Sequence, residues 1–214
     1  MLNGIFSYGD TQSNTEVSKE VYLDATDYAA LNALYESTNG TEWKNRRGWD
    51  FSSDTPPLAE DVHKWHGVKV QDSRVTEIML VKNNLSGTLP SELGSLSNLQ
   101  KLELSLNLNS LSGTLPSELG SLSNLQKLEL SFNGLSGTLP SKLGSLSNLQ
   151  RLELSSNFLN GTLPSELGSL SNLKHIGLGH NDLSGNIPEW LSSLSNLEHI
   201  GLGHNNLSGT LLSE

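Results

Sequence analysis

The sequence predicts an α/β repeat solenoid, in which a helical segment is followed by coils stacked side by side. Three observations carry this. From Val75 the chain repeats almost verbatim, in units beginning at Val75, Leu99, Leu125, Leu149, Leu173 and Leu197, with steps of 24, 26, 24, 24 and 24 residues. Within each unit the leucines change from a spacing of two to a spacing of three or four, which marks a strand followed by tight turns. The stretch before Val75 has a different composition and carries three of the four tryptophans, Trp43, Trp49 and Trp65.

Composition narrows the classes of function. The 214 residues suffice for one ordinary domain, and no apolar run approaches the roughly 20 residues of a membrane-spanning helix. With 13 Lys and Arg against 23 Asp and Glu, the net charge of −10 gives no electrostatic reason to approach nucleic acid or anionic lipid. The chain has no cysteine, so disulfides, thiolate metal sites and cysteine nucleophiles are excluded together.

Residues 1–24 are polar and unpatterned and are expected to be flexible; Met1-Leu2-Asn3-Gly4 lacks the marks of a signal peptide, and the compartment stays open. Residues 25–74 read as an N-terminal cap. Tyr28, Leu31, Leu34 and Tyr35 share one helical face, and Asn39-Gly40 is a helix stop. Trp65 to Val70 reads as a strand, and Asp72-Ser73 as the turn into Val75. A terminal coil must hide its open leucine face, and an aromatic-rich helix with a strand does so.

Residues 75–214 comprise five full units and a partial sixth. In the unit from Leu125, Leu128 and Leu130 have strand periodicity, whereas Leu135, Leu139, Leu143 and Leu146, around Pro140 and Gly144, suit 3₁₀ turns. Burying the leucines of one unit does not offset the ordering of its backbone, so the units must stack. The two extra residues of the long unit, within Leu106 to Ser110, are expected to bulge at a strand end and leave the stack intact. One polar residue recurs in the apolar frame: Asn83, Asn107, Asn133, Asn157, Asn181 and Asn205, with Asn109 competing for the place of Asn107. A buried amide column satisfies backbone groups where each coil turns away from its strand, so its role is structural.

The motif L-x-x-L-x-L-x-x-N-x-L-x-G-x-L-P-x-x-L-G-x-L resembles the plant-type leucine-rich repeat over residues 75–214. The resemblance implies a right-handed, curved superhelix with a concave parallel sheet, a second short strand near each Gly-Thr-Leu-Pro segment, and a binding role. The cap is similar to that of plant receptor repeats, in which a Trp-x-Gly-Val stretch lies between paired cysteines; here His63 and Val70 stand at those positions, as in algal, protist or bacterial relatives. After the last unit, Leu197, Ile200, Leu202, Leu207, Leu211 and Leu212 are expected to be covered by further chain or by a self-contact.

Strand residues facing out of the core are the candidate binding surface. Third positions run Glu77, Lys101, Lys127, Arg151, His175 and His199, and fifth positions Met79, Glu103, Glu129, Glu153, Gly177 and Gly201. Eighth positions run Lys82, Leu106, Phe132, Ser156, His180 and His204, so Leu106 and Phe132 interrupt a polar surface and suit a partner anchor. The basic column beside the acidic one is either a solvated salt-bridge lattice or a charge-matched docking surface.

Four of these side chains are histidines. Third and eighth positions lie up to ~16 Å apart along a strand, so the four cannot close on one ion. They form at best the pairs His175/His199 and His180/His204, the second assisted by Asp182, and no metal site or other cofactor is assigned. A pH-sensitive patch is an alternative, and the glycines between the pairs leave room for a ligand backbone or a sugar.

Glu103, Glu129 and Glu153 offer the paired carboxylates of a glycosidase, but on an open sheet and beside cations, so an enzyme is not expected. Thr88, Thr114, Thr138, Thr162 and Thr210 form a row, interrupted by Asn186, that suits an ice-binding plane. Four Asn-x-Ser/Thr sequons, at Asn39, Asn84, Asn160 and Asn206, follow from the repeat itself and identify no compartment. The sequence therefore supports a non-catalytic module that recognises a protein, peptide or glycan through the concave sheet.

Overall fold

A computed structural model describes residues 20–106 and 110–209 of the chain. Its spine is a seven-stranded sheet whose first two strands, Val68–Gln71 and Arg74–Met79, are antiparallel. The later strands, Lys101–Glu103, Lys127–Glu129, Arg151–Glu153, His175–Gly177 and His199–Gly201, follow in parallel, one per coil. A second, six-stranded sheet runs from Gly87–Thr88 to Asn206–Ser208 on the other side of the coils. Between the sheets lie 3₁₀ turns such as Ser91–Ser95 and Ser117–Ser121, replaced in the Leu173 unit by a short α-helix, Trp190–Ser193. The expected solenoid is observed, with its paired strands and 3₁₀ turns.

The core is a stack of leucine layers. Leu125, Leu128, Leu130, Leu135, Leu139, Leu143 and Leu146 are all at most 3% exposed. A fully buried leucine of this kind contributes about 1.5–3 kcal/mol relative to an exposed one. The long unit keeps its place, since Lys101, Leu102 and Glu103 pair in register with Lys127, Leu128 and Glu129. Asn107 and Asn109, which compete for one site, lie outside the described residues, as do residues 1–19 and Thr210 to Glu214.

The asparagine column binds coil to coil. Asn157 Nδ2 donates to Leu130 O at 3.1 Å and Leu154 O at 3.0 Å, while its Oδ1 accepts from Leu135 N at 3.1 Å. Asn181 repeats this one coil on, with bonds to Leu154 O, Leu178 O and Leu159 N. Asn83 turns the same chemistry toward the cap, exchanging bonds with Asn45 N and Asn45 O at 2.8 and 2.9 Å. A second, exposed column escaped the sequence reading: Asn124, Asn148, Asn172 and Asn196 each donate at 2.8 Å to a serine carbonyl of the preceding coil. Its signal was present in the recurring Ser-Asn-Leu.

The first helix, Ala25–Ser37, starts where Asp24 Oδ1 accepts from Thr26 N and Asp27 N. It buries Tyr28, Leu31 and Leu34 against the first coil. Fully buried Asp27 ties it to the sheet, accepting two bonds from Arg74 at 2.7 and 3.1 Å and one from Val75 N at 2.7 Å. Helical structure ends at Ser37, and Asn39, with φ of 53°, turns the chain in the left-handed region as its pairing with Gly40 suggests. One expectation needs correction: the strand read from Trp65 begins only at Val68, because Gly67 takes a φ of 75° and Trp65 turns into an aromatic cluster with Trp49 and Phe51.

Candidate functional site

Each first strand is short and alternates. Its central residue (Leu102, Leu128, Leu152 or Ile176) is fully buried, so its two neighbours face away from the core. Register then aligns Lys101, Lys127, Arg151, His175 and His199 in one column. Glu103, Glu129, Glu153, Gly177 and Gly201 form the next. Just past each strand the chain turns sharply: Lys82, Leu106, Phe132, Ser156, His180 and His204 all have φ between 55° and 63°. That left-handed conformation costs a non-glycine residue roughly 1–2 kcal/mol, and it is paid in every coil by the surrounding ladder of hydrogen bonds.

The charges in the two columns interlock diagonally. Lys127 reaches Glu103 of the preceding coil at 3.3 Å and Glu129 of its own at 3.6 Å. Arg151 reaches Glu129 at 2.6 Å and Glu153 at 3.8 Å, and His175 Nε2 lies 2.8 Å from Glu153 Oε2. Nearer the cap, Glu77 is shared by Lys69 at 3.0 Å and Lys101 at 3.3 Å. Partly exposed pairs of this kind contribute about 0–1 kcal/mol each, so the lattice positions charge more than it stabilises the fold.

Glu153 accepts the most hydrogen bonds of these acids. Burial works to raise its pKa, but hydrogen bonds from Ser155, His175 and Ser131 prevail and hold it below the ordinary carboxylate range. Room for this comes from the next coil, since a Cβ on Gly177 would lie 2.2 Å from Glu153 Oε2. Ser131, which donates to Glu153 at 3.0 Å, is itself buried.

The histidines form two separate pairs. The His175 and His199 rings are 5.7 Å apart and tilted, whereas His180 and His204 stack at 4.0 Å with 13° between planes. Stacked rings direct their lone pairs side by side and do not converge on one ion. Among the described residues no three ligating side chains gather into a metal site. Leu106 is only partly exposed, while Phe132 is 50% exposed, and Phe158, which sequence reasoning passed over, is 57% exposed.

At the edge where the strands begin, a groove of about 470 Å³ runs across five coils. Lys101, Lys127, Arg151, Lys174, His175 and His199 line it, with Glu198 its one acid and Gln126 and Gln150 between. Lys174 was missed, although the second-position series Gln100, Gln126, Gln150, Lys174, Glu198 would have found it.

A leucine rich repeat family profile matches residues 123–183 and 147–207. The fold is similar to the BIR2 ectodomain of Arabidopsis thaliana, with a TM-score of 0.73 and 33% identity over 88% of this chain and 96% of that one. The chain belongs to the plant-type leucine-rich repeat family. Other solved structures superpose as well. A PEPR1–AtPEP1 structure gives a TM-score of 0.76 and 30% identity over 88% of this chain and 26% of that one. A plant ice-binding protein gives 0.72 and 28% over 87% and 58%. A probable leucine-rich repeat receptor-like protein kinase of Arabidopsis thaliana is 36% identical over 39% of this chain, which spans only 8% of that protein.

Proposed function

We propose that this leucine-rich repeat is a non-catalytic recognition module whose concave face binds an acidic peptide or an acidic segment of a protein. The observation that carries the reading is the run of basic side chains along the groove. The chain as a whole has a net charge of −10, yet Lys101, Lys127, Arg151 and Lys174 line the groove at the strand edge with Glu198 its one acid. Lys174 makes no ion pair among the described residues, while Lys101, Lys127 and Arg151 are shared with the carboxylates of the neighbouring column. An acidic partner entering the groove competes for those side chains and is oriented by them during encounter. Exposed Phe132, flanking the same face, suits an apolar side chain of that partner. Similarity to the PEPR1–AtPEP1 structure and to receptor ectodomains supports a peptide or protein as the occupant. The acids of the face do not suit hydrolysis: Glu103 and Glu129 are held in ion pairs, and Glu153 is held ionised by three neighbours.

The test is capture from a library of acidic peptides by the wild type and by Lys127→Glu combined with Phe132→Ala. Expected is at least about tenfold weaker capture by the variant and weaker binding of the wild type in high salt. Equal capture by both proteins refutes the concave groove as the binding surface.

A second reading rests on the opposite sheet. Thr88, Thr114, Thr138 and Thr162 are exposed in one column. Each turns its Cγ2 methyl toward a glycine of the following coil, where an added Cβ would lie 2.8–3.0 Å away. The neighbouring Ser112, Ser136, Ser184 and Ser208 hydroxyls are occupied by glycine carbonyls of the preceding coil. The threonine row therefore repeats at the ~4.8 Å strand spacing with uniform rotamers, an arrangement that fits an ordered water lattice. Likeness to a plant ice-binding protein supports it. Thermal hysteresis or inhibition of ice recrystallisation, lost in Thr138→Lys, is the expected result, and normal ice growth at high protein concentration removes the reading.

A further inference from the structure

The cap holds a cleft that takes no part in the concave surface. It measures about 420 Å³, within the usual range for small-ligand sites, and lies between the helix Ala25–Ser37 and the loop before Phe51. Tyr35, Trp49 and Phe51 form its apolar lining. Tyr35 and Trp49 are nearly parallel at 6.4 Å and 17°, and Phe51 closes the group at 5.5 Å from Tyr35 and 6.2 Å from Trp49. The indole Nε1 of Trp49 is already used, donating to His66 O at 2.8 Å, and the residue is only 4% exposed, so Trp49 backs the cleft floor while Tyr35 and Phe51 present most of its carbon surface.

The polar lining is less satisfied. Asn32 Oδ1 is buried and has no hydrogen-bond partner among the described residues, an unfavourable arrangement that a ligand supplying a donor relieves. Glu36 and Arg46 line the same cleft and make no ion pair among the described residues; Arg46 Nη1 only donates to the Tyr35 hydroxyl at 3.1 Å. Asp50 adds another acceptor, kept ionised by hydrogen bonds from Ser52. A second cleft of about 280 Å³ shares Gly48 and Asp50 with the first and is lined by the hydroxyl residues Ser52, Ser53 and Thr55.

We propose that these joined clefts bind a neutral oligosaccharide, one unit against the Tyr35, Trp49 and Phe51 rings and the next along Ser52 to Thr55. The chemistry selects this class. A cation would be opposed by Arg46, and an anion by Glu36 and Asp50. A purely apolar ligand would leave Asn32 Oδ1 unpaired. A sugar hydroxyl both donates and accepts, so it serves Asn32, Glu36, Asp50 and Arg46 together, while the C–H face of the pyranose packs on carbon rings. The site is separate from the concave groove, so it stands or falls independently of the peptide reading.

The experiment uses the full chain labelled with ¹⁵N. Cellobiose, laminaribiose and chitobiose are titrated in turn, beside an array of neutral oligosaccharides. At least one probe is expected to shift the Asn32 side-chain amide and the Gly48 backbone amide saturably, leaving Lys127 and Arg151 unmoved. Asn32→Leu is expected to weaken that binding about tenfold or more. Arg46→Ala, at an exposed position that carries no core packing, is expected to weaken it too and serves if Asn32→Leu fails to fold. The proposal is overturned if no neutral saccharide on the array or in titration moves these signals. It is equally overturned if tetramethylammonium moves them and the saccharides do not, or if both variants bind as the wild type does.

Discussion

Replacing Asn157 by alanine tests the claim that the amide column holds the coils together. The truncation leaves Leu135 N–H without its partner in a site only 6% exposed, and removes one of two asparagine donors from the carbonyls of Leu130 and Leu154, which keep Asn133 and Asn181. One buried donor left unpaired, with two acceptors weakened, gives roughly 1–3 kcal/mol. Asn133 provides the internal control. Its Nδ2 donates to Leu104 O and Leu130 O, both at 3.0 Å, but its Oδ1 has no partner among the described residues beside the long unit. Asn133→Ala is therefore expected to cost about 1 kcal/mol less than Asn157→Ala, the worth of one backbone donor left unpaired. Urea unfolding of both variants measures the difference, and amide exchange on Leu135 localises it, because stability in a stacked array is a sum of neighbour terms. Equal losses at the two positions, or unchanged exchange at Leu135 in Asn157→Ala, refute the reasoning.

Two further outcomes are expected. Glu153 titrates below its unfolded value, so its contribution to stability is complete above the ordinary carboxylate pKa and fades as pH falls through the native one. Glu153→Gln should flatten that acid limb of the stability profile while leaving the neutral region less affected, and an unchanged limb would count against the role of Ser131, Ser155 and His175 as its partners. Ser156 sits at a φ of 58°, where asparagine is more at ease than serine, so Ser156→Asn should raise stability by about 0.5 kcal/mol, measured as a higher denaturation midpoint.

What could be read in advance was whatever recurs. The leucine layers and the third- and fifth-position columns recur through the six units and the proline-led turns through five, and period alone places them on common faces of the stack. What escaped reading was unique or pairwise. Asp27 is the one buried acid among the described residues, and nothing in its helical neighbourhood indicates that Arg74, 47 residues on, will meet it. The start of the cap strand at Val68 depends on Gly67 adopting positive φ against Met79 O, a tertiary constraint. The closer diagonal contacts likewise follow from side-chain reach across coils, since the two columns of opposite sign also meet straight along each strand, at 3.6 Å for Lys127–Glu129 and 3.8 Å for Arg151–Glu153. Phe158 was overlooked because it stands where other units have Asn84, Gly134, Asp182 or Asn206, so no column announced it.

The diagonal hand-over of charge has a consequence for how such an array changes length. Glu103 leans on the basic side chain of the following coil, as Glu129 and Glu153 do on Arg151 and His175. Excision of the whole stretch from Leu125 to Asn148 would bring Arg151 to the place of Lys127, and Glu103 would find an equivalent guanidinium there. Copies can thus be lost or inserted in the middle of the stack with every carboxylate still matched, whereas a break within a copy would strand one.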